Sequence, residues 1–108
     1  MLKLMNSAVM PHEGNYKMTQ INLTQFVNEL KAAPSFESYI GYPATARFIE
    51  AISEMKILLS REQTSLDNGD EMLIIKLKYR VQNPAEKGRF DPASDDYEFF
   101  HCHFSKWR

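Results

Sequence analysis

The chain has 108 residues, 44% of them apolar and 25% charged, with 13 basic against 14 acidic residues and a formal net charge of -1. That length suits one compact domain, the composition excludes intrinsic disorder, and the near balance of charge excludes the basic field that drives non-specific nucleic-acid binding. A lone cysteine, Cys102, excludes an intramolecular disulfide, and the start MLKLMNSAVM reads as too short and too polar for a signal peptide, so a cytoplasmic protein without a membrane span is expected.

Leu2 to Asn6 alternate apolar and polar and predict a short opening strand, followed by a loop that ends at Gly14. Tyr16, Met18 and Ile21 suggest a second strand feeding a helix capped by Asn22, whose side chain accepts from an otherwise orphan amide. Leu23, Phe26, Val27 and Leu30 follow at helical spacing, and Pro34 stops them. Phe36 to Ile40 form a short extended run. A second helix should begin at about Pro43, because proline at the first helical position forfeits no hydrogen bond; Phe48, Ile49, Ile52 and Met55 give it one apolar face. Ile57-Leu58-Leu59 reads as a further strand, with Arg61 just beyond. Asp67-Asn68-Gly69-Asp70 is a turn leading into Met72 to Val81, the longest strand expected, whose alternation sets Lys76, Lys78 and Arg80 on one face and Leu77, Tyr79 and Val81 on the other. The polar stretch from Gln82 to Asp95 is a candidate lid loop. Tyr97 to Phe104 is an aromatic-rich closing strand.

Three features carry possible chemistry. Ile40-Gly41-Tyr42-Pro43-Ala44-Thr45 places a glycine between strand and helix, so a phosphate could approach the first-turn amides; the plain alternative is a connection with an exposed tyrosine. Lys76, Lys78, Arg80 and Lys87, with Arg61, would form an anion patch if they converged, and arginine's planar fork suits phosphate; the alternative is a solvated sheet face. His101 and His103 share one side of a strand with Cys102 opposite, but two ligands do not make a metal site and no third is at a ligand spacing. Neither metal nor cofactor is expected.

Leu4-Met5-Asn6-Ser7-Ala8-Val9, then Ser38 to Ala46, then Arg61, then Gly69-Asp70 with Leu77-Lys78-Tyr79-Arg80 together resemble the small viral and mobile-element family that includes type III anti-CRISPR ring nucleases, over roughly Leu2 to Arg89. The resemblance implies an α+β fold, a mixed and mainly antiparallel sheet of about five strands flanked by two helices, assembled as a symmetric homodimer with a pocket for a cyclic oligoadenylate on the two-fold axis. By transfer, Asn6 and Ser7 lie at the pocket floor, Tyr42 and Thr45 at the helix end behind Gly41, and Arg61 and Arg80 against phosphates, under the 82–95 lid; Lys78 and Lys87 of the cation run are further candidate ligand contacts. The nuclease members hold a histidine acid where this chain has Tyr42. An unperturbed tyrosine, with a pKa near 10 against about 6.5 for histidine, is a poor proton shuttle at neutral pH but can still stack on a base or donate to phosphate. The expected function is therefore sequestration of a cyclic nucleotide immune messenger. A metal-independent ring nuclease using Tyr42 is the enzymatic alternative, and a DNA-binding or protein-interaction regulator, built on the Lys76–Lys78–Arg80 face, is the third.

Overall fold

Local chemistry sets the two helices. Asn22 accepts from the amide of Gln25 at 2.8 Å, and the Gln25 side chain accepts from the amide of Asn22 at 3.0 Å. This reciprocal capping box opens α1 (Leu23–Ala32), which buries Phe26 and Leu30 and gives way to extended backbone at Ala33. Pro34 follows. The second helix, α2 (Pro43–Ser53), starts with Pro43 as expected, buries Ala46 and Ile49, and ends where Glu54 adopts a left-handed conformation and its amide donates to the Glu50 carbonyl at 2.9 Å. The computed structural model describes residues 2–6, 13–60, 66–78 and 94–106.

Among these residues five strands form one sheet: β1 (Leu2–Met5), β2 (Gly14–Ile21), β3 (Phe36–Tyr39), β4 (Glu71–Leu77) and β5 (Tyr97–Lys106), in the order β2-β5-β4-β1-β3. The α+β class and the mixed sheet agree with the sequence. β1 pairs with β3 and β4 in parallel over four residue pairs each, whereas β5 pairs antiparallel with β2 over eight and with β4 over seven. Antiparallel pairing thus dominates by length, yet β1 to β4 all point the same way and β5 alone runs against them.

The turn before β4 follows its sequence signal: the Asp70 amide donates to the Asp67 carbonyl at 3.0 Å, the Asp67 amide to the Asp70 carboxylate at 2.8 Å, and Gly69 takes φ 87, which a side chain would resist. Two expectations need correction. Ile57 to Leu59 is not a strand: a single parallel bridge joins Leu59 to Ile40, Leu58 and Leu59 stand exposed, and the segment is held mainly by the Ser60 amide on the Ile40 carbonyl and Ser38 Oγ on the Leu58 carbonyl. An apolar triplet signalled burial, but only Ile57 is buried. Among the described residues the longest strand is β5, not β4, which runs to Leu77; the chain bends at Lys78, whose amide still donates to the Asp96 carbonyl in the register of the β4–β5 ladder. The expected continuation through Tyr79, Arg80 and Val81 lies outside the described residues, as does the 82–95 lid up to residue 93, its last two residues opening the short 3-10 turn Ser94–Asp96.

Both helices pack on one face of the sheet. Phe26 and Leu30 of α1 and Ala46 and Ile49 of α2 join Leu4, Leu73, Ile75, Tyr97 and Phe99 in one buried cluster. Phe26 meets Phe99 at 5.1 Å between ring centroids and Phe48 meets Tyr97 at 4.6 Å, the tilted contacts that aromatic quadrupoles favour. The opposite face carries a second cluster of Met5, Leu66, Met72, Ile74, Cys102 and Phe104.

Lys3 is buried on β1 and donates to its register partner Glu37 at 2.8 Å; Asp70 lies at 3.9 Å, and Tyr39 donates to Glu37 at 2.7 Å. Burial alone would depress the Lys3 ammonium, but the hydrogen bond to Glu37 and the neighbouring Tyr39, Glu37 and Asp70 raise it above its ordinary value. The hydrogen bond from Lys3 and then that from Tyr39 hold Glu37 below the usual carboxylate range. This network ties the edge strand β3 to β1, one turn of chain ahead of α2.

Candidate functional site

Because β1 to β4 are co-directional, their carboxyl ends share one edge of the sheet, and both helices begin there. In sheets with parallel strands this edge is where ligands usually bind. Asn6 follows β1, Gly41 and Tyr42 follow β3, and Lys78 follows β4, so four of the sequence candidates fall on this edge. Their levels follow from register. Met5 is opposite both Tyr39 and Ile74, and the chain then runs three residues on to Tyr42 and four on to Lys78, each about 10 Å or more beyond at roughly 3.3 Å per residue, if extended. Asn6, one residue past Met5, sits lower, between them.

The two helix starts on this edge differ. That of α1 is closed by its own capping box, whereas Tyr42, the N-cap of α2, makes no side-chain cap and Pro43 brings no amide. Among the described residues the buried Tyr42 hydroxyl finds no hydrogen-bond partner, which replaces the simple picture of an exposed tyrosine. Burying a hydroxyl unpaired costs about 1–3 kcal/mol, so an external acceptor or donor there would be stabilised.

Thr45 faces elsewhere. It is buried, and its Oγ1 lies 3.2 Å from the Tyr97 hydroxyl of β5, so its hydroxyl ties α2 to the sheet. The ligand role expected of it is met by a structural contact instead, because the third residue of α2 points inward on the helical period. Lys78 is exposed, and a cavity of about 400 Å³ beside it is lined by Asp95, Glu98, Asn22 and Gln20 among others. Two carboxylates thus line the same cavity as this cation. Ser7, Arg61, Arg80 and Lys87 lie outside the described residues.

At the far end of the sheet, the alternation read from His101-Cys102-His103 holds. Cys102 is buried in the second cluster, where burial pushes its thiol up, while His101 is turned to the helix side with Glu29 of α1 at 2.5 Å from Nδ1 and Glu71 of β4 at 3.4 Å from Nε2. Glu29 and Glu71 drew no attention in the sequence, where they stand 72 and 30 positions from His101. A charged residue next to a turn or on a helix flank gives no local signal of what it will meet.

The model of one protein family, described as STIV B116-like, matches residues 2–91. Uncharacterized protein 26 of Sulfolobus islandicus filamentous virus (isolate Iceland/Hveragerdi) is 35% identical over 85 residues, covering 76% of this chain and 72% of that one. Among solved structures, B116 of Sulfolobus turreted icosahedral virus superposes with a TM-score of 0.73 at 14% identity, covering 94% of this chain and 97% of that one, a likeness of fold. No helix among the described residues is long and apolar enough to cross a membrane.

Proposed function

The chain belongs to the STIV B116-like family, a viral family, and from that premise we propose that it binds an anionic nucleotide at the start of α2 and holds it without cleaving it. The observation that carries this reading is the uncapped α2 start behind Gly41, with a buried and unpartnered Tyr42 hydroxyl, on the edge where the co-directional strands end. A helix start of this kind favours an anion by roughly 0.3–1 kcal/mol from its dipole alone, and more when amides donate directly. Asn6, at the end of β1 on the same edge of the sheet, is a further proposed donor. The ligand class is a cyclic nucleotide messenger, bound across a homodimer so that each group is used twice, and sequestration in the host cytoplasm would serve a virus against nucleotide-signalled defence. Arg61, Arg80 and Lys87 are its proposed phosphate contacts, and Lys78 a weaker one because Asp95 and Glu98 share its surroundings.

A phenol is a poorer proton donor than an imidazole at neutral pH, so holding is favoured over cleavage. The regulator reading draws less support, because 13 basic against 14 acidic residues supply no basic field for a nucleic acid.

Isothermal titration against cyclic oligoadenylates, cyclic dinucleotides and cyclic ADP-ribose isomers tests the proposal. Heat of binding with one class is expected, and silence across the panel overturns it. Long incubation with cyclic tetra-adenylate followed by chromatography then separates the two mechanisms: intact ligand is expected, and linear product would restore the ring nuclease.

A further inference from the structure

We propose that Glu71, His101 and His103 form a binding site for a divalent transition ion of the zinc class, with Glu29 positioning His101 from behind. The site lies at the end of the sheet opposite the α2 start and is independent of the nucleotide reading.

From sequence, His101 and His103 were two donors short of a site. Antiparallel pairing of β4 with β5 supplies the next one, because it sets Glu71 directly opposite His103 and one step diagonal from His101, all three on the helix-side face. Glu71 Oε1 is 3.4 Å from His101 Nε2 and 4.0 Å from His103 Nδ1. Around a tetrahedral ion with bonds of about 2.0–2.1 Å, neighbouring donor atoms stand about 3.3–3.4 Å apart. Of the three donor–donor edges in this trio, one therefore has the tetrahedral length and a second is longer by about 0.6–0.7 Å. Among the described residues no group of three or more histidine, cysteine or carboxylate side chains is already arranged to hold a metal ion, so an ion would have to draw His103 inward. The side chains of His103 and Glu71 are 47% and 51% exposed, which leaves room for that rotation.

The second ring nitrogen of His101 makes the cluster more than a surface ion pair. Its Nδ1 meets Glu29 Oε1 from α1 at 2.5 Å, the carboxylate–histidine arrangement that keeps the proton on one nitrogen and offers the other to a metal. A cavity of about 560 Å³, lined by Leu2, Ala32, Pro34 and His101 among others, opens beside the donors and gives an entering ion a path and a water a fourth position. Imidazole lone pairs select this class of ion over an organic ammonium, which needs acceptors only.

The full chain, first freed of metal with a chelator, is titrated with Zn(II) by calorimetry and with Co(II) by visible absorption. One ion per chain is expected, with a tetrahedral Co(II) spectrum that Zn(II) abolishes, and with heats that vary between buffers because binding displaces protons. His103→Ala and Glu71→Ala should each weaken binding at least roughly tenfold, and Glu29→Gln should weaken it about 10–100-fold while preserving the spectrum. Affinity unchanged in His103→Ala, or absence of a stoichiometric ion in the native chain, overturns the proposal. Circular dichroism of each variant confirms that its fold is retained, so that lost binding reads on the site.

Discussion

The two helix starts lie on the same edge of the sheet and were built differently. α1 is finished by its own sequence: Asn22 and Gln25 satisfy one another's amides, so nothing more is needed from outside. α2 is left open, with proline and tyrosine where a capping side chain would stand and a hydroxyl buried without a partner. Both helices are anchored alike through buried apolar residues, so the contrast is confined to their first turns. It teaches that stability was completed at one start and reserved at the other, which is the pattern expected where a ligand supplies the missing partner.

The comparison can be broken first at its premise of equal anchoring. Phe26→Ala in α1 and Ile49→Ala in α2 should cost about 3–5 and 2–5 kcal/mol in denaturant unfolding; a cost below about 1 kcal/mol for the second would mean that α2 is loosely docked and its open start is fraying. Next, Thr45→Val should lose about 1–2 kcal/mol through the Tyr97 contact while leaving nucleotide affinity as it was. A tenfold loss of affinity without a loss of stability would return Thr45 to the ligand site.

Removing the α1 cap with Asn22→Ala should cost about 1 kcal/mol and leave ligand binding unaffected. Tyr42→Phe should behave in the opposite sense, raising thermal stability by up to about 1 kcal/mol as an unpaired hydroxyl disappears, and lowering nucleotide affinity roughly tenfold. Equal responses of the two starts would erase the distinction drawn between them.

The smallest effect concerns the edge strand that leads into α2. Lys3 holds the Glu37 carboxyl below its ordinary range, so the stabilisation from that pairing is present above the unfolded carboxylate pKa and is lost as pH falls through the lower folded value. Glu37→Gln should therefore flatten the acid limb of a stability–pH profile and change little at neutral pH. The raised Lys3 acts at the alkaline side, its contribution being present below the lysine's unfolded pKa and lost as pH rises through the folded one. The half-exposed Glu37 side chain keeps both effects small.

Much of the local architecture was legible in the residues themselves. Asn22 as a cap, Pro43 as a helix opener, the Asp67–Asp70 turn and the alternation of His101, Cys102 and His103 all rest on interactions within a few residues, and such interactions act wherever the segment lies. Leu58 and Leu59 misled, because apolar character predicts burial only if a partner surface arrives. Alternation likewise gave no sign of the bend at Lys78, where the amide keeps the register of the ladder on Asp96, 18 positions on.

The chain order of residues thus determined both helices, the Asp67–Asp70 turn and where the five strands fall, since backbone dihedrals and caps respond to neighbours a few positions apart. Only the tertiary structure decided that β1 to β4 share a direction, that Thr45 answers to Tyr97, and that Glu29 and Glu71 meet at His101. Those outcomes depend on strand order and register, which fix distances between residues tens of positions apart and leave no periodic trace in either partner's own segment.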